Sequence, residues 1–86
     1  MGEPEITMYT TPWCGDCYVA KRTMRRLGVG YREIDISNDA TARDEVQRIN
    51  GGLRRVPTIL FPSGRIVVEP SAPELERVLR SEGLVA

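Results

Sequence analysis

The stretch Thr10–Cys17 reads T-T-P-W-C-G-D-C and contains both cysteines of this 86-residue chain. It separates two segments of different periodicity. Before it, Glu5–Thr10 alternates apolar and polar side chains, which predicts a β-strand that ends at Thr11-Pro12. After it, apolar residues recur at helical spacing and Gly28 supplies a stop, so we expect an amphipathic helix over Trp13–Leu27. The cysteines therefore lie where the chain passes from a strand into a helix.

The spacing of Cys14 and Cys17 suits a dithiol that opens and closes. Residues three apart in a helix share one face, with Cβ atoms roughly 5–6 Å apart, which is close to disulfide range. The unpaired N–H groups and the positive dipole at the helix start favour the Cys14 thiolate, and thiol pKa values in such motifs fall to roughly 3.5–7.5. The chain has no histidine, which excludes activation by a Cys–His pair. The motif therefore predicts thiol–disulfide redox chemistry.

A zinc site, a structural disulfide and a chance spacing account less well for the cysteine pair. A closed zinc site needs four nitrogen or sulfur ligands, whereas this chain offers two sulfurs and no imidazole. A structural disulfide across so short a loop would remove little entropy from the unfolded chain. If two cysteines were placed at random, a spacing of three would arise roughly once in forty-odd cases, which counts modestly against chance.

Asp16 lies between the two cysteines and has two opposed expected effects. Its carboxylate beside Cys14 should raise the pKa of that thiol and repel anionic substrates. An acidic residue in the first turn of a helix also stabilises the helix through the macrodipole. The sequence leaves both interpretations open.

The rest of the chain predicts three further strands and two further helices. Turn chemistry at Pro62–Gly64 joins the last two strands into a hairpin. The order is βαβαββα, and the short first crossover predicts that the first two strands are parallel. These segments are the strands Tyr31–Ile36, Thr58–Phe61 and Arg65–Glu69, a second helix capped by Ser37–Asp39, and a last helix opened by the capping-box spacing of Ser71–Glu74.

Composition limits the classes of protein to consider. Residues 1–86 are expected to form one domain, because a chain this short can bury only one small core. Twelve basic and twelve acidic residues cancel, which removes the electrostatic motive for binding nucleic acid. No apolar run is long enough to span a bilayer, and the first six residues lack a signal-peptide pattern. We expect a cytoplasmic protein that binds neither nucleic acid nor membrane.

Several motifs together resemble the thioredoxin superfamily and, within it, the glutaredoxin branch. They are Trp13-Cys14-Gly15-Asp16-Cys17 after the first strand and Val56-Pro57-Thr58 at the start of the third. The mycoredoxin group, with its W-C-G-x-C motif, is the most similar. It also shares the patterns seen here at Asn50-Gly51-Gly52, at Arg54–Thr58 and at Pro70-Ser71. The resemblance covers essentially the whole chain.

The resemblance implies an α/β fold, with a four-stranded mixed sheet flanked by three helices, and a thiol–disulfide oxidoreductase. Cys14 would be the attacking thiolate, Cys17 the resolving thiol, and Val56-Pro57 a cis peptide bond facing them. Trp13, Arg54, Val56, Pro57 and Ser71 are the expected substrate-binding residues. The residues alone allow a simpler explanation in each case. Pro57 could be an ordinary trans proline, Arg54 a solvated side chain and Ser71 a simple helix cap.

The implied substrates are mixed disulfides between client proteins and a small thiol, or protein disulfides. The co-substrate would be a low-molecular-weight thiol such as mycothiol or glutathione, recycled by a flavin disulfide reductase, with no tightly bound cofactor or metal. Glutathione-using glutaredoxins usually carry Pro-Tyr between the cysteines and Gly-Gly before an acidic residue at the last helix. This chain has Gly15-Asp16 and Pro70-Ser71. We expect the protein to be a monomer.

Two alternative functions remain open at this point. The first is an electron donor of the NrdH or thioredoxin type, recycled by thioredoxin reductase, although Val68–Glu74 lacks the tryptophan-containing stretch of that group. The second is a dimeric module in which two chains share a [2Fe–2S] cluster through Cys14 and added thiols. Cys17 counts against this module because a disulfide would compete with cluster ligation.

Overall fold

The computed structural model describes residues 5–85 and has the element order expected from the sequence. The expectation that the first six residues are not a signal peptide rests mostly on residues 1–4, which lie outside the described part. The elements are β1 (Thr7–Thr10), α1 (Gly15–Arg26), β2 (Arg32–Asp35), α2 (Ala40–Ile49), β3 (Thr58–Leu60), β4 (Ile66–Val68) and α3 (Ala72–Ser81).

The strands form one mixed sheet in the order β2-β1-β3-β4. β1 and β2 are parallel, with Thr7 opposite Arg32, which confirms the expectation from the short crossover through α1. β3 runs antiparallel to β1 and to β4, so the predicted hairpin is also confirmed. The sheet places the end of β1 and the start of β3 side by side, and the cysteine motif follows β1 directly.

One face of the sheet packs against α1 and α3. Side chains from β1, β3 and the two helices form a cluster from which water is almost completely excluded. Dispersion contacts and apolar burial in this cluster provide the main force that holds α1 on the sheet. The buried members are Ile6, Met8, Ala20, Met24, Ile59, Phe61, Leu75 and Leu79.

The opposite face packs against α2. Tyr9 points to this side while its neighbour Met8 points to the other, as the alternation of a strand requires. Ala42 and Val46 provide the buried contacts from α2, and Ile36 completes the small cluster. Val78 and Ile49 are only partly buried, at the margins of the two clusters.

The elements are shorter at their ends than the periodicity predicts. The prediction began the first helix at Trp13, whereas α1 begins at Gly15, because Cys14 has extended backbone angles (φ −108°, ψ 110°) and acts as the N-cap. Asp39 caps α2 and Ser71 caps α3, each through a side-chain oxygen that accepts a backbone N–H. Within residues 5–85, no helix is long and apolar enough to cross a bilayer.

Candidate active site

Cys14 and Cys17 form a disulfide at the start of α1, with their Cα atoms 5.2 Å apart. The strand β1 carries the chain to this end of the sheet, and Thr11–Trp13 turns it into the helix. The two sulfurs are therefore held by one rigid element, and the cysteines predicted from sequence to react together are joined in the structure. The molecule as described is in its oxidised form.

The two cysteines differ in their surroundings. The Cys14 Sγ accepts a hydrogen bond from the Cys17 backbone N–H at 3.0 Å, so the sulfur itself serves as the N-cap of α1. Cys14 is partly exposed, whereas Cys17, in the first turn of α1, is 1% exposed. A sulfur that accepts a helix N–H and reaches solvent is the better nucleophile, because the N–H group and the dipole stabilise its thiolate. The geometry thus distinguishes an outer sulfur from an inner one.

The loop before β3 closes the site on a second side. The Val56-Pro57 peptide bond is cis, as the family resemblance implied, and Pro57 is buried. The carbonyl oxygen of Val56 lies 3.7 Å from the Cys14 Sγ. Val56 is only half-buried, and its carbonyl lies beside the sulfur. An extended substrate could pair with such a backbone segment.

Large apolar side chains stand exposed around the outer sulfur. Trp13, next to Cys14, is 79% exposed, and Tyr18, one helical turn further on, is 63% exposed. Side chains of this size are usually buried in part, so their exposure leaves an apolar surface at the start of α1. Trp13 was predicted from sequence as a substrate contact, whereas Tyr18 was not.

Arg54 and Ser71, the remaining predicted substrate contacts, already have partners within the chain. Arg54 Nε donates a hydrogen bond to Gln47 Oε1 at 3.2 Å, at the C-terminal end of α2. The Ser71 hydroxyl accepts the Glu74 N–H at 3.2 Å, and the Ser71 N–H donates to the Glu74 carboxylate at 2.9 Å. Both residues are exposed, but their observed contacts are structural.

An ion pair beside the cis bond was missed from the sequence. Arg55 Nη1 lies 3.4 Å from Glu69 Oε1, and the Glu69 backbone N–H donates to the Pro57 carbonyl at 2.9 Å. The predicted hairpin contained the signal, because extending the β3–β4 register by one pair places Glu69 opposite Pro57. The pair brings a carboxylate and a guanidinium close to the loop that faces Cys14.

Glu33 carries a further charge near the end of β1. It accepts hydrogen bonds from Thr10 Oγ1 at 2.8 Å and from Lys21 Nζ at 3.0 Å. Burial opposes ionisation of this carboxyl, but the hydrogen bonds from Lys21 and Thr10 outweigh it and hold the pKa of Glu33 below its ordinary value. The contact ties α1 to the sheet just behind the motif. In the part of the chain that the structure describes, no three His, Cys, Asp or Glu side chains are grouped to hold a metal ion.

Comparison with known proteins identifies relatives over most of the chain. The glutaredoxin family model matches residues 6–67. A Mycobacterium tuberculosis protein assigned to the glutaredoxins is 39% identical over 74 residues, which cover 86% of this chain and 88% of that protein. Mycoredoxin 1 of Corynebacterium glutamicum is 34% identical over 71 residues, 81% of this chain and 86% of its own.

Solved structures share the same architecture. The glutaredoxin of Archaeoglobus fulgidus superposes with a TM-score of 0.77, covering 92% of this chain and 89% of the archaeal one at 23% identity. At that identity the likeness bears on the fold alone. The four-stranded mixed sheet with three helices is thus the glutaredoxin and thioredoxin architecture expected from the sequence.

Proposed function

The chain belongs to the glutaredoxin family and is a glutaredoxin-like thiol–disulfide oxidoreductase, and from this premise we propose how its dithiol works and which residues meet the substrate. The proposed substrates are mixed disulfides between client proteins and a small thiol. The family match favours neither of the alternatives, the NrdH-type donor or the iron–sulfur module.

The proposed reaction begins with the reduced dithiol. The Cys14 thiolate attacks the small-thiol sulfur of the adduct, forming a new disulfide to Cys14 and releasing the client cysteine as its thiolate, which takes up a proton. The release of Cys14 then follows one of two routes. In the first route, a second small-thiol molecule attacks the small-thiol sulfur bound to Cys14, which releases the Cys14 thiolate and the symmetrical small-thiol disulfide. In the second route, Cys17 attacks the Cys14 sulfur and expels the small thiol. The second route gives the Cys14–Cys17 disulfide present in the structure.

The observation that carries this assignment of roles is the difference between the two sulfurs. Cys14 is partly exposed and receives the Cys17 N–H, whereas Cys17 is buried directly beneath it. An external adduct can reach only the first sulfur without unfolding the helix start. The second sulfur is placed to attack the first, as a resolving thiol requires.

The proposed substrate contacts surround Cys14. The Val56 backbone beside Pro57 would pair with the client or adduct backbone, and Trp13 would cover its apolar part. Arg54 and Ser71 would contact uncharged polar groups of the small thiol at the outer edge of the site while keeping their internal partners.

The proposed cellular setting follows from the chemistry. A dithiol that reduces client proteins operates where thiols are kept reduced, which favours the cytoplasm. The co-substrate is a low-molecular-weight thiol, with mycothiol and glutathione as the two candidates. A flavin disulfide reductase would return the oxidised small thiol to its reduced form. The protein would act as a monomer, with a role in thiol redox homeostasis and electron transfer.

Turnover by cysteine variants tests the proposed roles. We expect Cys14→Ser to abolish release of a small thiol from a peptide mixed disulfide, because the chain's second cysteine is buried. Cys17→Ser should retain activity that depends on the added small thiol. Mass spectrometry should show the Cys14-bound adduct accumulating in that variant when the small thiol is withheld.

One outcome of that experiment would contradict the proposal. Activity that survives the loss of Cys14 would refute the assigned nucleophile. Parallel assays with mycothiol and glutathione adducts of the same peptide, in wild-type protein, would show which small thiol the site accepts.

A further inference from the structure

Glu69 has an unusual backbone conformation for its residue type. Its φ is +50°, and it is the one non-glycine residue with a positive φ in the described range 5–85. The left-handed region is unfavourable for a residue with a Cβ, and glycine would occupy it without penalty. The backbone conformation alone would favour glycine at this position. Any contribution specific to glutamate therefore comes from its side chain.

Contacts on both sides of the cis bond fix the position of Glu69. Its N–H donates to the Pro57 carbonyl at 2.9 Å, and its carboxylate lies 3.4 Å from Arg55 Nη1. Val56 lies between Arg55 and Pro57 in the sequence, and its carbonyl is 3.7 Å from the Cys14 sulfur. The carboxylate is therefore paired with Arg55, which directly precedes Val56, the residue whose carbonyl lies beside the Cys14 sulfur.

The ion pair limits the use of the Arg55 guanidinium by a substrate. The Arg55 and Glu69 side chains remain 51% and 37% exposed, so the pair faces the solvent from which an adduct arrives. A free guanidinium here would attract a carboxylate on the small thiol, whereas the paired one does so far less. Glu69 itself repels such a group.

The helix terminus next to Glu69 is also occupied by a carboxylate. The backbone N–H of Ser71, which could have bound an anion, donates instead to Glu74 Oε1 at 2.9 Å. Asp16 adds a third carboxylate within the cysteine motif. These acids of the chain itself therefore oppose the binding of a further anion near the site.

We propose that Glu69, through its pair with Arg55, is a specificity-determining residue that makes the site prefer adducts of uncharged small thiols over adducts of carboxylate-bearing ones. The proposal rests on the oxidoreductase function proposed above and specifies its substrate class. The selection acts on the small-thiol part of the mixed disulfide and leaves the transfer at Cys14 unchanged.

Two adducts of one peptide provide the test. A peptide with a single cysteine is prepared as the mixed disulfide of 2-mercaptoethanol, which is neutral, and of 3-mercaptopropionate, which is anionic and of similar size. Pre-reduced protein reacts with each in a single turnover, so that no recycling enzyme is needed. We expect wild-type protein to react about fivefold faster with the neutral adduct, as exposed charge repulsion of this kind produces.

Glu69→Gln should raise the rate constant for the anionic adduct about fivefold and leave that for the neutral adduct within about twofold, because only the charge is removed. The gain should be smaller in an Arg55→Gln background, where no guanidinium is freed. Raising the salt concentration should shrink the preference in wild type. Glu82→Gln is the matched control, since Glu82 pairs with Arg65 at 3.6 Å, beside the turn at the far end of the β3–β4 hairpin.

The remaining outcomes decide against the proposal in distinguishable ways. If Glu69→Gln changes both rate constants equally, or neither, Glu69 does not select by charge and the proposal is overturned while the oxidoreductase function stands. The same holds if Glu82→Gln produces an equal gain. A wild-type protein that reacts with neither adduct would refute the proposed function itself.

Discussion

At the scale of single residues, the chemistry depends on where one sulfur sits relative to a helix end. Cys14 is the N-cap of α1, and its Sγ accepts the Cys17 N–H at 3.0 Å, so the helix start stabilises negative charge on this sulfur. Asp16, exposed in the first turn of the same helix, acts in the opposite direction on the thiolate. It also favours the helix through its dipole. Asp16 therefore has one electrostatic effect on the sulfur and another on the helix.

Asp16→Asn separates these two effects. We expect the Cys14 thiolate in the reduced protein to form at a modestly lower pH, because an exposed carboxylate interacts with a nearby thiolate through a high effective dielectric. Ultraviolet absorbance of the thiolate against pH gives the measurement. Asp44→Asn on the exposed side of α2 serves as the control, since it removes an equal charge at a distance. An identical titration curve in Asp16→Asn would show that the carboxylate points away from the sulfur.

At the scale of elements, α3 owes its start to a capping box and its position to contacts with α1. Ser71 and Glu74 exchange side-chain and backbone hydrogen bonds. Glu76 bonds to Arg26 of α1 at 3.0 Å, and Leu75 and Leu79 are the buried residues of α3. The backbone N–H of Ser71, and then its hydroxyl, hold the pKa of Glu74 below its ordinary value of 4.5.

The lowered pKa of Glu74 predicts a dependence of stability on pH. A group whose pKa is depressed in the folded state stabilises the protein above its unfolded pKa, and this contribution is lost as pH falls through the folded value. We expect the free energy of unfolding of wild type to fall on acidification below about pH 4.5, and Glu74→Gln to show a shallower fall because it loses no charge. Urea unfolding across that range, with Glu5→Gln as a control outside the helices, measures this. Equal slopes in wild type and Glu74→Gln would show that the capping box does not depend on the charge.

At the scale of the whole molecule, the sheet separates two clusters of unequal size. Among residues 5–85, the cluster under α1 and α3 has eight buried members, whereas that under α2 has four, so the side that carries the cysteine helix is the more strongly packed. This places the reactive sulfurs on the better supported helix. It leaves α2 as the element held by fewer contacts.

Leu75→Ala tests the dominant cluster. Leu75 is 0% exposed, and its truncation should lower the free energy of unfolding by about 2–5 kcal/mol, a large part of the stability of a domain this small. Leu53→Ala, at a residue that is 50% exposed, should change it by less than about 0.5 kcal/mol. Urea unfolding compares the two. A loss at Leu75 no larger than at Leu53 would mean that α3 does not depend on this cluster for its packing.

Much of the fold was predictable because local patterns and the tertiary structure agree. The alternation in Glu5–Thr10 predicted β1, and the turn at Pro62–Gly64 predicted the β3–β4 hairpin. Element ends were less predictable, since Trp13 and Cys14 continue the helical pattern while the backbone is still extended at Cys14. The contact of Val56 with Cys14 joins residues 42 positions apart. No local pattern encodes this contact, and only the family resemblance implied it.

The sequence by itself determined the reaction class and the order of elements. Two cysteines three apart at a helix start, with no histidine in the chain, allow little other chemistry. The tertiary structure decided which sulfur is exposed, which carbonyl faces it, and that Arg55 is neutralised by Glu69. The physical reason is range, because propensity and periodicity act over a few residues, whereas exposure and charge pairing depend on segments that only the packed sheet brings together.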